Sequence, residues 1–219
     1  MLRTALACLL TLLAGWAAAS WLTYDFQAWT DEDARRLEVA LRPVPAPSVA
    51  VDGADVPATT LPALLAGGSG TDGHAGVTIA DFFYTRCQTV CLSLGSSFQQ
   101  LQQALQQEPN PGVRLLSISF DGAHDAPQVL APYADKLQAD PRLWRFARVP
   151  DPAQQQALLA RLGVVVIPND FGDYEHNAAL LVFDGQGRMV RVFDLAEQQL
   201  ALNYARHLAR QQHAGAPQS

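Results

Sequence analysis

The chain has 219 residues, 49% of them hydrophobic and 16% charged, and a formal net charge of −6. That composition excludes a disordered chain and an all-apolar membrane protein, and the acidic balance leaves no basic footprint for nucleic acid. The length suits one domain of ordinary size with an appendage.

Arg3 precedes an uncharged run from Thr4 to Tyr24, which meets the ~20 apolar residues a helix needs to cross a bilayer. Arg3 flanks one end, and Asp25, Asp31, Glu32 and Asp33 the other. The positive-inside rule then keeps the N-terminus in the cytoplasm and sends the rest outside. In a bacterium this is a single-pass inner-membrane anchor with the soluble domain on the periplasmic side. A cleaved signal peptide is the alternative, because Ala17-Ala18-Ala19 resembles a small-residue cleavage site. Trp21 and Tyr24 are placed as interfacial anchors and favour the retained helix. Cys8 lies within the run and reads as a small apolar residue.

Residues 1–24 are thus a membrane segment. Residues 25–47 hold a short helix, Thr30 to Leu41, with Thr30 and Asp33 spaced for a capping start, then a stiff linker around Pro43, Pro45 and Pro47. The main domain is expected over 48–212, with a disordered tail over 213–219. Val49 to Leu65 suggests a small hairpin, and Gly67 to Gly76 a loop.

Val77 to Tyr84 reads as a buried strand. It runs into Cys87-Gln88-Thr89-Val90-Cys91. Leu94, Phe98, Leu101 and Leu105 then continue at helical spacing, on the same stripe as the two cysteines. Further on, Val113 to Phe120 is a strand. A helix from Asp125 and Pro127 to about Gln138 contains Pro132, which predicts a kink or a later start. Trp144 to Val149 is a strand, Pro152 to Leu162 a helix closed by Gly163, and Val164 to Ile167 a short strand. Pro168 to Glu175 reads as a polar loop. Ala178 to Phe183 and Arg188 to Phe193 form a hairpin about Asp184 to Gly187, and Ala196 to about Arg210 is the last helix. This order, β-α-β-α and then β-β-α with insertions, is an α/β thioredoxin-like fold: a central mixed sheet flanked by helices, behind an N-terminal transmembrane helix.

Cys87 and Cys91 stand apart from Cys8, and two cysteines make no disulfide scaffold, so the pair reads as redox or metal-binding. At the start of a helix, positions i and i+4 put both sulfurs on one face, and the helix N-terminus favours thiolate. The bland alternative is a pair of small core residues. Two thiolates need a third partner to hold a metal. His207 and His213 are expected at the surface, His74 and His124 in loops. His176 precedes the strand that this fold packs against its cysteine motif, so His176 is the candidate third ligand. Two sulfurs and one imidazole suit a soft metal, and copper better than zinc, which wants a fourth ligand. Asp173 and Glu175 are candidates for orienting the imidazole.

Three stretches then carry a specific resemblance: Phe83-Tyr84-Thr85-Arg86-Cys87-Gln88-Thr89-Val90-Cys91; Leu116-Ser117-Ile118-Ser119-Phe120-Asp121 with Asp125-Ala126-Pro127; and His176-Asn177. The chain resembles the SCO/SenC family of membrane-anchored, copper-binding, thioredoxin-like proteins from near Pro43 to Leu208. The resemblance implies copper, as Cu(I) or Cu(II), held by Cys87, Cys91 and His176. It implies delivery of copper to the binuclear site of cytochrome c oxidase, or reduction of that site's cysteines. The partner is the copper-bearing subunit or another copper carrier. Gln88, Thr89 and Leu92 replace the acid and prolines that the family often shows about the second cysteine. Two other readings stand beside it. In a thiol–disulfide oxidoreductase, Cys87 and Cys91 act as a redox pair. A peroxiredoxin-like peroxidase would use one cysteine with Thr85 and Arg86.

Overall fold

A computed structural model describes residues 2–66, 76–87, 90–108, 112–169 and 173–215, with the side chains of 90–92, 213 and 215 outside the description. The loop expected over Gly67 to Gly76 lies outside the described residues except for Gly76. Contacts divide the chain into two units, 1–42 and 43–219.

The first unit holds α1 (Leu2–Leu22) and α2 (Asp31–Leu41). α1 buries no residue and is long and apolar enough to cross a membrane. Tyr24, Asp25 and Phe26 follow it in left-handed backbone, with φ of 50, 58 and 64°. That turn sets the Phe26 ring between Trp16 and Trp29, with centroids 6.4 and 6.0 Å away. α2 starts on the anticipated capping box: the Asp33 amide donates to Thr30 Oγ1, and the Thr30 amide donates to the Asp33 carboxylate.

The second unit begins with β1 (Val44–Pro45), β2 (Ala50–Gly53), β3 (Thr59–Thr60) and α3 (Leu61–Leu65). Next come β4 (Val77–Phe83), α4 (Val90–Gln106), β5 (Val113–Ser119), α5 (Pro127–Lys136), β6 (Trp144–Arg148) and α6 (Pro152–Leu162). The chain closes with β7 (Val166–Pro168), β8 (Tyr174–His176), β9 (Leu180–Phe183), β10 (Arg188–Phe193) and α7 (Gln198–Gly215). One sheet runs β1-β10-β9-β4-β5-β6-β2-β3, and β7 and β8 form a separate pair. The contacts β4/β5 and β5/β6 are parallel, and all others antiparallel. β4 is buried along its whole length, as a parallel strand covered on both faces must be.

The layers follow from register. Asp81 of β4 pairs with Ser117 of β5, and Leu115 with Trp144 of β6. The Trp144 indole N–H donates to Ser117 Oγ at 2.9 Å, and its ring lies 5.5 Å from Phe98 of α4. Two residues along from Asp81, the Phe83 ring stacks 5.2 Å from Tyr133 of α5. This face of the sheet therefore lies under α4 and α5, and α7 packs beside α4. The opposite face carries Tyr84 and Phe120, whose rings meet at 5.1 Å.

Several expectations need correction. The presumed linker carries β1, which pairs Val44 with Met189 on the sheet edge. The hairpin expected within Val49 to Leu65 is β2/β3, and β2 also extends the main sheet by pairing with β6. The strand read at Val164 to Ile167 is shifted to Val166–Pro168. It pairs with Tyr174–His176, whose first two residues lie in the segment read as a loop. Asn177 accounts for the shift: its side chain accepts from the Val165 amide at 2.7 Å and donates to Gly163 O at 3.0 Å, so pairing begins only beyond Val165. α5 starts at Pro127 and continues through Pro132. α7 continues to Gly215, so residues 213–215 of the presumed tail are helical.

Candidate functional site

β4 ends at Phe83, and the chain turns through Tyr84, Thr85 and Arg86 into Cys87. The Cys87 amide donates to Tyr84 O at 3.3 Å. Asp125 holds this turn. Its carboxylate accepts from the Thr85 amide at 3.0 Å, from Thr85 Oγ1 at 2.5 Å and from Ser119 Oγ at 2.6 Å. Asp125 is fully buried, so each bond satisfies a lone pair that water cannot reach. Bonds to a charged group are worth roughly 1.5–3 kcal/mol each. Arg86 meets Asp121 at 2.6 Å with its side chain about half exposed, a contact worth about 1 kcal/mol or less.

Cys87 is buried, with 7% exposure. Cys91 lies in the first turn of α4, and its side chain is outside the described residues. The closure of a three-residue metal cluster through Cys91 therefore falls outside the description. Among the described residues no group of three His, Cys, Asp or Glu forms one.

His176 ends β8 and is half-buried. Its ring lies edge-on to Phe120, with centroids 5.0 Å apart. Phe120 touches Tyr84 in turn, and Tyr174 packs edge-on against both at 5.1 and 5.6 Å. Tyr84 is thus common to both halves of the site: it sits three residues before Cys87 and shares an aromatic cluster with His176. Its hydroxyl donates to Asp173 Oδ1 at 2.5 Å and accepts from the Tyr174 amide at 3.3 Å. Burial and the Asp173 hydrogen bond hold the Tyr84 hydroxyl well above its ordinary range, and the charge of Cys87 adds to the effect. The proton therefore stays on Tyr84, and Asp173 is the acceptor. Burial lowers the His176 pKa, which keeps the imidazole in its neutral, metal-binding form at pH 7.

The Asp173 carboxylate, expected to orient the imidazole, accepts from the Tyr84 hydroxyl, and Glu175 is exposed. His124 and His207 are exposed. His74 and the His213 side chain lie outside the described residues. Sequence reading missed the roles of Tyr84, Asp125 and Asn177. The buried Asp125 was legible only as a helix-start signal. A crevice of about 340 Å³ opens beside the cluster, lined in part by Phe120, Asp121, Gln155, Leu159, Val166 and Tyr174.

A family model described as SCO1/SenC matches residues 69–210. The chain belongs to the SCO1/SenC family. A SCO1 protein homolog of Bacillus subtilis is 25% identical over 123 residues, which is 55% of this chain and 63% of that relative's length. The SCO1/SenC fold, which is thioredoxin-like, recurs in the copper-bound structure of ScoI from Bradyrhizobium japonicum. That structure has a TM-score of 0.59 and 22% identity, over 75% of this chain and 99% of that one. It recurs in BsSco, described as a Sco-family cytochrome c oxidase assembly protein with a disulfide switch. There the TM-score is 0.63 and the identity 18%, over 77% and 95% of the two chains.

Proposed function

We propose that this SCO1/SenC protein is a membrane-anchored copper-binding assembly factor that holds copper through Cys87, Cys91 and His176. The cargo is delivered to the binuclear copper site of cytochrome c oxidase or handed over by another copper carrier. α1 is the anchor, and the soluble unit faces the periplasm. The observation that carries the reading is the Tyr84 cluster, which ties the segment bearing Cys87 to the hairpin bearing His176. The donor set fits the metal: thiolates are soft ligands, and a neutral imidazole suits both copper oxidation states. Three ligands leave the ion open to stepwise displacement by a partner's thiolates.

A second reading has its own support, the position of Cys91 in the first turn of α4, where the helix dipole favours thiolate. In that role one thiolate attacks a partner disulfide, and the other cysteine resolves the mixed disulfide. Thr85 and Arg86, which a peroxidase would need beside its cysteine, are instead engaged by Asp125 and Asp121.

The test is Cu(I) loading of the reduced full-length protein in detergent, under competition from a chelator, against His176→Ala. One tightly held copper per chain in the parent and a marked loss in the variant are expected. Equal retention in both removes His176 from the ligand set and leaves the dithiol reading.

A further inference from the structure

Ser119 is the last residue of β5 to share a rung with β6. Beyond it the chain enters the loop Phe120-Asp121-Gly122, whose backbone groups must find other partners, because buried amides and carbonyls are seldom left unpaired. The Phe120 amide donates to Phe83 O at 2.9 Å, and the Asp121 amide to Ser119 Oγ at 3.0 Å. The groups on either side of Asp121 are both taken by one side chain of α6. Gln155 Nε2 donates to Phe120 O at 2.5 Å, and Gln155 Oε1 accepts from the Gly122 amide at 3.0 Å. The Gln155 amide thus does for this loop what a peptide group of a neighbouring strand does for a sheet. Gly122 is confined from its other side as well. Its carbonyl accepts from Arg148 Nη1 at 2.7 Å, and a Cβ at this position would run into the Val149 carbonyl.

The loop touches both halves of the candidate copper site. Phe120 is 3% exposed, and its ring lies 5.0 Å from that of His176. The Asp121 carboxylate accepts at 2.6 Å from Arg86, the residue before Cys87. A shift of the loop therefore moves the wall on which the His176 ring rests and the partner of Arg86 together. Gln155 opposes that shift by bonding the backbone on both sides of Asp121. Gln154, its neighbour on α6, serves another part of the molecule: its Oε1 accepts from the Ala50 amide of β2 at 2.8 Å. Two adjacent glutamines of one helix thus hold different segments, and one of those segments carries Phe120.

We propose that Gln155 is a positioning residue of the copper site, fixing the loop Phe120-Asp121-Gly122 and, through the Phe120 ring, the orientation of the His176 imidazole. The inference rests on the reading of His176 as a copper ligand. Gln155 is no part of the donor set and acts through Phe120.

The test compares Gln155→Met, which keeps the length of the side chain and removes both hydrogen bonds, with Gln154→Met, which removes a hydrogen bond of α6 to β2. The ring protons of His176 are followed by NMR in the metal-free, full-length protein in detergent, labelled at histidine and assigned by the signals lost in His176→Ala. Gln155→Met is expected to move these signals, because the position of the Phe120 ring sets their shielding, and Gln154→Met to leave them at the parent's positions. Cu(I) retention under chelator competition is expected to fall about 10-fold in Gln155→Met, the lower end of the cost of losing a group that orients a metal ligand, and to stay near the parent's in Gln154→Met. His176 signals unmoved in Gln155→Met overturn the proposal, as do equal shifts in the two variants, which would mean a general loosening of α6. Should Gln155→Met fail to fold, Gln155→Asn, whose amide is one methylene short of the loop, takes its place under the same criteria. A parent that holds no copper sinks the copper reading, whereas the signals of the metal-free protein still decide whether Gln155 positions His176, so the two fail separately.

Discussion

The Tyr84 hydroxyl donates to Asp173 at 2.5 Å, joining the strand that leads into Cys87 to the hairpin that ends in His176. The two partners are 89 positions apart in the chain. Removing the hydroxyl leaves Asp173 without this donor and frees the hairpin to shift. Tyr84→Phe is therefore expected to fold and to weaken Cu(I) retention by about 10–100-fold, the usual cost of losing a group that orients a metal ligand. Chelator competition measures it. Unchanged affinity would show that the hairpin is positioned without this bond.

Asp125→Ala strips three hydrogen bonds from the turn before Cys87 and leaves the buried Ser119 hydroxyl without its acceptor. A loss of about 3 kcal/mol or more is expected, read as a lower denaturant midpoint. Asp125→Asn keeps acceptor oxygen on one side only and should fall between the two. If Asp125→Ala unfolds at the parent's midpoint, the turn is held by something else.

Stability should depend on pH through Asp81. Its folded pKa is about 7, above the ordinary ~3.9 of an unfolded chain. Between those values the folded state binds the extra proton, so stability is greatest below pH ~4 and falls as pH rises to about 7. The full difference is on the order of 4 kcal/mol. Asp81→Asn carries no such proton and should flatten that part of the curve, gaining on the parent above neutrality. Denaturant melts across the range decide, and parallel curves would refute the assignment.

His176 is expected to titrate below the ordinary histidine value of about 6.5. Its neutral form then persists into mildly acid solution, and protons compete with a metal there less than an exposed imidazole would allow. NMR of the ring protons in the metal-free protein gives the midpoint directly. A value at or above the ordinary one would mean that the imidazole is solvated.

Most of the second unit was legible because its elements announce themselves. β4 and β5 are rich in apolar and β-branched residues, and Gly163 closes α6 in left-handed backbone at φ 67°. The capping box of α2 needed only Thr30 and Asp33. What was not legible depends on contacts distant in sequence. Val44 and Pro45 become a strand only because β10 offers an open edge. Tyr174 to His176 is too short and polar to signal a strand, and it forms one because Val166 to Pro168 lies opposite. The cysteine pair and His176 could be picked out by residue type and by resemblance. The tie between them could not, since nothing local marks Tyr84 and Asp173 as partners.

The hairpin of β7 and β8 has a consequence for kinetics. Its backbone ladder is closed on itself and shares no rung with the main sheet. Two strands alone are marginal in water. Side chains supply much of its hold on the body: the Tyr84 hydroxyl, the Asn177 amide and the ring contacts of Tyr174 and His176. Such a unit opens at far lower cost than global unfolding. Amide exchange at Glu175 and His176 should then outrun exchange in β4 and β5 by orders of magnitude. If His176 holds copper as proposed, the lifetime of that bond is set by local opening, and the domain can be very stable while its grip remains brief.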